Sequence, residues 1–456
     1  MPPSSPSVPA TATPPTTSDP TAPTRRPSAA TAAAVRSSTS PAWAPALSDL
    51  TREHDFADLD VDGVIPDELT GTVLRNGPGL FSSHGQRYDH WFDGDGAVSA
   101  VRFAGGRARG AVRVVESRAL VEERAAGRML YGGYATIQPG LLRRLRGVVK
   151  NAANTSLMVW NDRLLALHEG SRPTELSLDD LSTIGETSLD GAVVRTFSAH
   201  PHYVPTRRAF YNIGVRAGRK TMLDIFELPD GGTARRMTSL PLPGLTMVHD
   251  FIATADHLII FVPPLRVALL PVLFGRAGFS DALTWRPELG TEIIVVPIDR
   301  PDRVRRLSTE PFFTFHFANA FERDGALVVD FIRYPDFTIN QRLSELTHGR
   351  DKSDPRAVGT LHRAIIDPRA PISAAVDMVE LCSDPCEFPR VAPAATSARY
   401  RYCYLAGHRD SSGVHGLQDA LLKIDLGSGA AGAEASAAIG DRWDCPPGHF
   451  TSEPIF

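Results

Sequence analysis

Short hydrophobic runs, rich in β-branched and aromatic residues, follow one another along most of the chain after residue 71. One example is the run at 157–160, which Asn161 and Asp162 separate as a turn signal from a second run at 163–168. Such turn signals recur about every eight to twelve residues, the spacing of consecutive short strands. The pattern therefore predicts an all-β fold, either a sandwich, a barrel or a propeller.

Two segments interrupt this β pattern. Residues 137–149 combine leucines with arginines, and residues 261–274 are almost wholly apolar around Arg266. Neither segment is long or continuous enough to span a bilayer. Each is interpreted either as a buried helix or as an interfacial patch, whose apolar side chains enter lipid while its arginines meet phosphates.

Residues 1–45 are predicted to form a disordered leader, because they are mainly Pro, Ala, Thr and Ser with almost no large apolar side chains. Such a composition cannot bury enough surface to offset the entropy of ordering. Its prolines break any amphipathic helix, and no apolar stretch could serve as a signal-peptide core. Residues 46–456 are expected to form one folded domain in a cytoplasmic protein, either soluble or peripheral to a membrane.

Composition limits the classes of protein and partner. The chain has 456 residues, 42% of them hydrophobic and 22% charged, which is enough for a large core. The net charge of −4 is small for this length and argues against nucleic acid as the principal partner. Cys382 and Cys386 lie four residues apart, but a zinc site needs two further soft ligands nearby. All four cysteines are therefore interpreted as buried or idle thiols in a reducing compartment.

Three histidines, His200, His249 and His316, each precede a turn signal and a β-rich run. The pattern is one histidine per β-hairpin, repeated. In a radial array of hairpins, equivalent positions face a common axis, so residues that are distant in sequence meet there. Because imidazole is a common ligand of transition metals, these histidines are candidate ligands of one metal ion.

Several short motifs occur in a defined order from about residue 55 to the end of the chain. Besides the three histidine segments they are LRNGPGLF at 74–81, HWFDGDG at 90–96, NT at 154–155, EFP at 387–389 and SEPIF at 452–456. In this order they resemble the carotenoid cleavage oxygenase family, which includes apocarotenoid- and stilbene-cleaving dioxygenases. The resemblance implies a seven-bladed β-propeller with a helical cap over one end.

The same resemblance implies a chemistry. In the family, four histidines hold one iron(II) ion, and O₂ cleaves a conjugated carbon–carbon double bond into two carbonyl products. His200, His249 and His316 match the first three of those ligands. His202 would lie on the same face of a strand as His200, so spacing alone leaves both as candidates. The family motif selects the histidine before proline, which is His200.

Glutamates are expected behind the ligands, because a ligating imidazole needs its other N–H held, usually by a carboxylate. The family uses glutamates for this purpose, and Glu169, Glu387 and Glu453 occupy the matching motifs. Glu322 is a weaker candidate, because it abuts a turn at 323–325 and is expected to face water. His168, beside Glu169, is interpreted as structural.

The resemblance is incomplete at the C-terminal end. The fourth histidine of the family lies beyond the motif in which this chain ends, and His449 precedes Glu453 and so does not match that position. Strands that would complete the last blade are expected to be missing as well, so the last blade should be incomplete. The chain is interpreted as a fragment, a frameshifted gene product or a degenerate member of the family.

Three functions follow from the sequence. The leading hypothesis is an iron(II) dioxygenase that cleaves a carotenoid or apocarotenoid, with a hydrophobic polyene and O₂ as its partners. The second is cleavage of a stilbene-like phenylpropanoid, because such enzymes share every motif quoted above. The third is a non-catalytic or vestigial polyene-binding propeller. A family that handles membrane-dissolved carotenoids needs entry from lipid, which favours the interfacial interpretation of residues 261–274 and a peripheral membrane contact there.

Overall fold

Strands account for most of the regular structure. A computed structural model of the chain describes residues 41–145, 149–351, 354–372, 376–410, 414–427 and 438–455. In chain order the strands are β1 His54–Asp58, β2 Gly71–Leu80, β3 Ser82–Ser83, β4 Gln86–Arg87, β5 Asp95–Ala104, β6 Arg107–Val114, β7 Ser156–Trp160, β8 Arg163–Leu167, β9 Thr174–Leu176, β10 Thr183–Glu186, β11 His202–Val204, β12 Ala209–Arg216, β13 Met222–Pro229, β14 Arg235–Pro241, β15 Ile252–Ala253, β16 His257–Val262, β17 Leu265–Val267, β18 Leu283–Trp285, β19 Thr291–Pro297, β20 Arg305–Thr309, β21 Phe317–Arg323, β22 Ala326–Arg333, β23 Thr360–Ile366, β24 Val376–Cys382, β25 Cys386–Arg390, β26 Tyr402–Gly407, β27 Ala420–Asp425 and β28 Ala438–Asp444.

Most strands pair in six four-stranded antiparallel sheets, numbered here as blades 1 to 6. The strand orders are β1-β6-β5-β2, β10-β9-β8-β7, β11-β12-β13-β14, β15-β16-β19-β20, β21-β22-β23-β24 and β25-β26-β27-β28. The predicted turn between β7 and β8 is present, and Asn161 and Asp162 both have positive φ there, as a two-residue hairpin turn requires. Two short hairpins, β3-β4 and β17-β18, lie outside the blades.

The blades stand around a common centre. One end strand of each blade, namely β2, β7, β11, β15, β21 or β25, belongs to the inner set. Contacts join β2 to β7, β11 to β15, β15 to β21 and β21 to β25. Adjacent blades therefore touch through these end strands, which is the radial arrangement of a β-propeller.

The described residues form six blades, so the predicted seventh blade is not confirmed. The last sheet is complete, because its four strands come from successive antiparallel hairpins between residues 386 and 444. An incomplete last blade, as expected from the sequence, is therefore not observed. The α-helices within the described ranges are short: α1 Arg118–Ala126, α2 Leu141–Leu145, α3 Leu269–Leu273 and α4 Thr338–Thr347. They do not confirm the predicted helical cap.

Hydrophobic residues of neighbouring blades pack face to face. Ile213 and Ile225 of blade 3, for example, share a buried cluster with Leu258, Ile260 and Val296 of blade 4. Burying one such side chain stabilises the fold by about 1.5–3 kcal/mol. Continuous apolar runs, such as the buried residues 258–262 of β16, thus supply both the strands and the contacts between blades.

The two segments that interrupt the β pattern are buried in part and exposed in part. Phe261 and Val262 end β16 in the core, so the first part of 261–274 is buried rather than interfacial. The helix α3 near its other end exposes Leu269 and Leu270, has its remaining residues half-buried, and contacts α2 from the segment 137–149. No helix among the described residues is long and apolar enough to cross a membrane.

The predicted leader lies mostly outside the described residues, which begin at Pro41. Its last positions are described, and Ala44–Leu47 form a 3-10 helix. Leu47 is buried there in a cluster with Phe81 and Leu346. This short helix is therefore attached to the folded part of the chain.

Candidate metal centre

Three histidines lie immediately before inner strands of three successive blades. His200 precedes β11 of blade 3, His249 precedes β15 of blade 4, and His316 directly precedes β21 of blade 5. Because β15 contacts both β11 and β21, the three entry points are neighbours at the centre of the propeller. The fold thus brings together residues that lie far apart in the sequence.

The ring nitrogens of these histidines face one another. Nε2 of His249 lies 2.9 Å from Nε2 of His200 and 3.3 Å from Nε2 of His316. One nitrogen from each of the three rings lies within 4.8 Å of the others. Within the described ranges, this is the one cluster of three His, Cys, Asp or Glu close enough to hold an ion.

Carboxylates contact the outer nitrogens of two rings. A carboxylate oxygen of Glu387 lies 2.6 Å from Nδ1 of His316, and Glu169 contacts Nδ1 of His249. A carboxylate can only accept, so the proton of each neutral ring is on Nδ1. Nε2 of His249 and Nε2 of His316 then present lone pairs to each other, which repel unless a cation lies between them. The donor set therefore fits a metal ion.

Burial keeps one of the rings neutral. Desolvation, followed by the neighbouring His249 and His316, lowers the pKa of His200 well below its usual value. For His316 burial also lowers the pKa, but the adjacent Glu387 outweighs it, so the pKa of His316 is raised overall. A neutral imidazole is the form that binds a metal, which suits His200 in particular.

The Glu387 carboxylate is held at both oxygens. Oε2 accepts from Nδ1 of His316 and from the backbone N–H of Phe388 at 2.5 Å, and Oε1 accepts the hydroxyl of Tyr334 at 2.9 Å. Phe388 has φ of 53°, a left-handed conformation that costs an aromatic residue about 1–3 kcal/mol. Its ring lies 5.2 Å from that of His316 between centroids. Phe388 thus contacts the site both through its backbone N–H, which bonds to Glu387, and through its ring, which packs near His316.

Aromatic rings and a cavity surround the cluster. Phe92 stacks against His249, with ring centroids 6.4 Å apart, and Phe315 packs edge-on to it at 5.0 Å. A cavity of about 290 Å³ opens beside His200 and His316. The wall of this cavity also includes Thr155, Met158, Phe210, Phe388, Arg390 and Glu453. Aromatic rings therefore cover the cluster, whereas the wall of the cavity beside it mixes apolar and polar side chains.

Glu453 is not placed as expected. Its carboxylate pairs with Arg390 at 2.5 Å, and its backbone oxygen accepts from Arg75 at 2.9 Å. It lines the cavity beside the histidines, but among the described residues its carboxylate contacts Arg390 rather than an imidazole. The carboxylates that do back the cluster are Glu169 and Glu387.

Other polar residues near the candidates have different partners. His202 lines the same cavity as His200, but its Nε2 lies 2.8 Å from a carboxylate oxygen of Asp250 and it does not join the histidine cluster. Glu322 does not simply face water, because it accepts from His257 at 2.9 Å and from Thr254 at 2.7 Å.

Two further histidines also stay outside the cluster. His168 lies 3.3 Å from the hydroxyl of Ser171, and burial lowers its pKa. His449 is exposed and contacts the backbone oxygen of Pro447.

All four cysteines are free thiols.

Tyr334, Phe388 and Phe92 were not among the predicted site residues, although Phe92 and Phe388 lie in two of the quoted motifs. A signal for Tyr334 did exist, because the predicted turn at Asp324 and Gly325 fixes a hairpin. Counting outward from that turn places Tyr334 opposite the histidine segment, and the structure has a backbone bridge between Phe313 and Tyr334. Hairpin register could therefore have identified this neighbour.

The chain is similar to known proteins over most of its length. The family profile described as retinal pigment epithelial membrane protein matches residues 47–456. The chain belongs to the carotenoid cleavage oxygenase family. It is 34% identical to apocarotenoid-15,15'-oxygenase of Synechocystis over 427 residues, covering 91% of this chain and 84% of that protein.

A second relative and a solved structure extend the comparison. Lignostilbene-alpha,beta-dioxygenase isozyme III of Sphingomonas paucimobilis is 28% identical, covering 90% of this chain and 84% of that protein. The cobalt-substituted apocarotenoid oxygenase of Synechocystis superposes with a TM-score of 0.75 and 33% identity, over 85% of this chain and 82% of that one. The all-β propeller fold is thereby shown.

Proposed function

We propose that the chain binds one iron(II) ion at His200, His249 and His316 and cleaves a conjugated double bond of an apocarotenoid with O₂. The observation that carries the proposal is the convergence of three Nε2 atoms whose rings are backed by Glu169 and Glu387. The 34% identity to an apocarotenoid oxygenase supports this substrate class. Imidazole nitrogens suit iron among the transition metals.

Each group of the centre has a defined part in this function. When bound, iron(II) activates O₂ towards the alkene, and R₂C=CR₂ plus O₂ gives two R₂C=O, so all atoms are accounted for. Glu169 and Glu387 keep the Nδ1 protons in place, so that Nε2 stays available as a ligand. Phe92 and Phe315 cover His249 with apolar surface and limit water beside it.

The test uses the full chain, loaded anaerobically with iron(II) and then mixed with an apocarotenal and air. We expect one O₂ consumed per bond cleaved and two carbonyl fragments by mass spectrometry. The variant His200→Ala should lose both iron and turnover, whereas His202→Gln should keep iron, because His202 bonds to Asp250 instead. Stoichiometric iron in His200→Ala would contradict the assigned site.

Stilbene cleavage is the second candidate. It is supported by the lignostilbene dioxygenase and by resveratrol cleavage oxygenase 1 of Aspergillus fumigatus, which is 28% identical over 366 residues. The same assay with resveratrol in place of the apocarotenal separates the two substrates by their kcat/KM values. Retained binding of either compound without O₂ uptake would instead indicate a non-catalytic propeller.

We propose further that the protein is cytoplasmic and meets membranes through an apolar helix pair, defined as α2 and α3. Its exposed apolar side chains are Leu141, Leu142, Leu269 and Leu270, and the exposed Phe274 directly follows α3. Leu142 and Leu270 are 72% and 67% exposed, and Arg143 and Arg144 lie on the same pair. Apolar side chains next to arginines suit the interface of a bilayer.

Vesicle flotation tests this contact. The full chain should float with phosphatidylcholine vesicles, and Leu142→Asp with Leu270→Asp should abolish flotation, because burying a charge in lipid is unfavourable. Ile184→Asp is the matched control, since Ile184 is 66% exposed on β10, outside the helix pair. Equal flotation of both variants would remove the helix pair from consideration.

A further inference from the structure

The hydroxyl of Tyr334 reaches the metal centre through a single intermediate group. Tyr334 donates to Oε1 of Glu387 at 2.9 Å, and Oε2 of the same carboxylate lies 2.6 Å from Nδ1 of His316. All three groups are buried or nearly so, with Tyr334 only 2% exposed. Water therefore competes little for these bonds, which strengthens each of them.

Two-point attachment fixes the orientation of a carboxylate. Oε2 already has two partners, the ring of His316 and the N–H of Phe388. Among the described residues, the hydroxyl of Tyr334 is the one hydrogen-bond donor to Oε1. Without it, the carboxylate could rotate about its terminal bond, and a buried oxygen would lack a partner.

Tyr334 itself is rigidly placed. Its N–H and C=O exchange backbone hydrogen bonds with Phe313 at 2.8 and 3.0 Å, three residues before His316. Its ring packs edge-on to Phe315, with centroids 5.9 Å apart. Burial, followed by Glu387, raises the pKa of Tyr334 well above its usual value, so its hydroxyl stays protonated and remains a donor.

We propose that Tyr334 is a positioning residue, which sets the direction of the His316 Nε2 lone pair by fixing the Glu387 carboxylate. This inference rests on the proposed function, because it requires that His316 binds the metal. Tyr334 touches neither the other two histidines nor the cavity beside His200 and His316 among the contacts described. The effect of its hydroxyl therefore passes through Glu387, whereas its ring packs on Phe315, a contact that Tyr334→Phe keeps.

The test compares Tyr334→Phe with the wild-type full chain. The readouts are the affinity for iron(II) and cobalt(II), measured by competition with a chelator, and the visible ligand-field spectrum of the cobalt(II) form. We expect affinity to fall about 10-fold, the lower end for groups behind a ligand. We also expect the cobalt spectrum to shift, because a reoriented imidazole changes the ligand field.

Tyr400→Phe is the matched control. Tyr400 donates its hydroxyl to another carboxylate, that of Asp330, at 2.6 Å. Asp330 is paired with Arg363 and is not part of the histidine cluster. Removing its hydroxyl should lower the unfolding midpoint much as Tyr334→Phe does, and leave metal affinity and spectrum unchanged. A merely structural role for Tyr334 would make the two variants alike in all readouts.

A double variant tests whether the effect of Tyr334 on metal affinity depends on Glu387. In Glu387→Gln, adding Tyr334→Phe should change metal affinity by less than about twofold, because the residue that transmits the effect is already altered. Unchanged affinity and spectrum in Tyr334→Phe alone, or an undiminished effect in Glu387→Gln, would overturn the inference. Failure of the wild-type chain to bind either metal would instead overturn the proposed function.

Discussion

Two arms of the candidate metal centre each place a carboxylate behind a histidine ring, but the two carboxylates are held differently. In the first, Glu387 contacts His316, its side chain is 8% exposed, and both of its oxygens accept hydrogen bonds. In the second, Glu169 contacts His249 and its side chain is 28% exposed. Among the described residues this contact is an ion pair rather than a well-aligned hydrogen bond, and Nδ1 of His249 has no hydrogen-bond partner.

The difference shows that the two ligands are oriented by different means. His316 is fixed from behind by a buried and fully bonded carboxylate. His249 is fixed more by the rings on its faces, because Phe92 stacks on it and Phe315 packs edge-on to it. We therefore expect the His316 arm to depend on hydrogen bonds and the His249 arm to depend on packing.

The ligands themselves should give the largest effect. His316→Ala and His249→Ala should each weaken metal affinity by more than about 100-fold, the upper end for groups behind a ligand. Both arms should be equal here, because each variant removes a donor nitrogen. Chelator competition measures this, with His202→Gln as control. Near-normal affinity in either variant would remove that histidine from the site.

The carboxylates should separate the arms. Glu387→Gln should weaken metal affinity about 100-fold and Glu169→Gln about 10-fold, the two ends of the usual range. The reason is that an amide at 387 meets three groups that all donate, whereas position 169 can readjust towards solvent. The same competition assay applies. Equal losses would show that burial and bonding of Glu387 add nothing.

Metal-free stability should differ next. Glu387→Ala leaves buried donors without partners and should cost about 2 kcal/mol of unfolding free energy. Glu169→Ala should cost less than about 1 kcal/mol, since one partly exposed contact is lost. Urea unfolding of metal-free protein measures both. A larger cost for Glu169→Ala would reverse the comparison.

Acid should act on the packed arm through His90. His90 lies 4.6 Å from Phe92 between ring centroids, and burial lowers the pKa of His90 to about 4. The unfolded chain, with a usual histidine pKa of 6.5, binds the proton more readily, so stability falls as pH drops from 6.5 to 4. The slope that His90 contributes should approach about 1.4 kcal/mol per pH unit, the value for one proton.

The matched variant His90→Gln should remove this contribution from the slope. His408 supplies an internal reference, because burial also lowers its pKa to about 4 but it lies in blade 6 after β26. His408→Gln should flatten the slope without changing the environment of Phe92. An unaltered slope in His90→Gln would show that this histidine does not sense acid.

The sequence predicted the strands and the three histidines because local patterns carry both. Turn signals such as Asn161 and Asp162 mark hairpins, and one histidine heads each of three runs. Local patterns could not predict the partner of the Glu453 carboxylate. Whether this group contacts an imidazole or Arg390 depends on distant chain segments. The prediction of an interfacial patch over residues 261–274 was wrong in its first part for a similar reason. Phe261 pairs within blade 4, and the exposed apolar residues lie only in and after the helix beyond it.

The number of blades was beyond local patterns, and hairpin register could place Tyr334 beside the histidine segment without revealing its role. Counting blades requires knowing which runs pair, and β3-β4 and β17-β18 form hairpins outside any blade. Tyr334 precedes a proline in an ordinary-looking strand end, and its role appears only when the carboxylate of Glu387 arrives from blade 6. Contacts between blades thus carry the information that single segments lack.

The spacing of the histidines also has a mechanical consequence. His200, His249 and His316 are separated by 49 and 67 positions and enter blades 3, 4 and 5. An ion bound to all three ties these blades together at the hub. Because only the folded chain presents the three nitrogens, metal at 1,000 times its dissociation constant adds about 4 kcal/mol against unfolding. The ion that supports the reaction would then also stabilise the contacts between blades of the propeller.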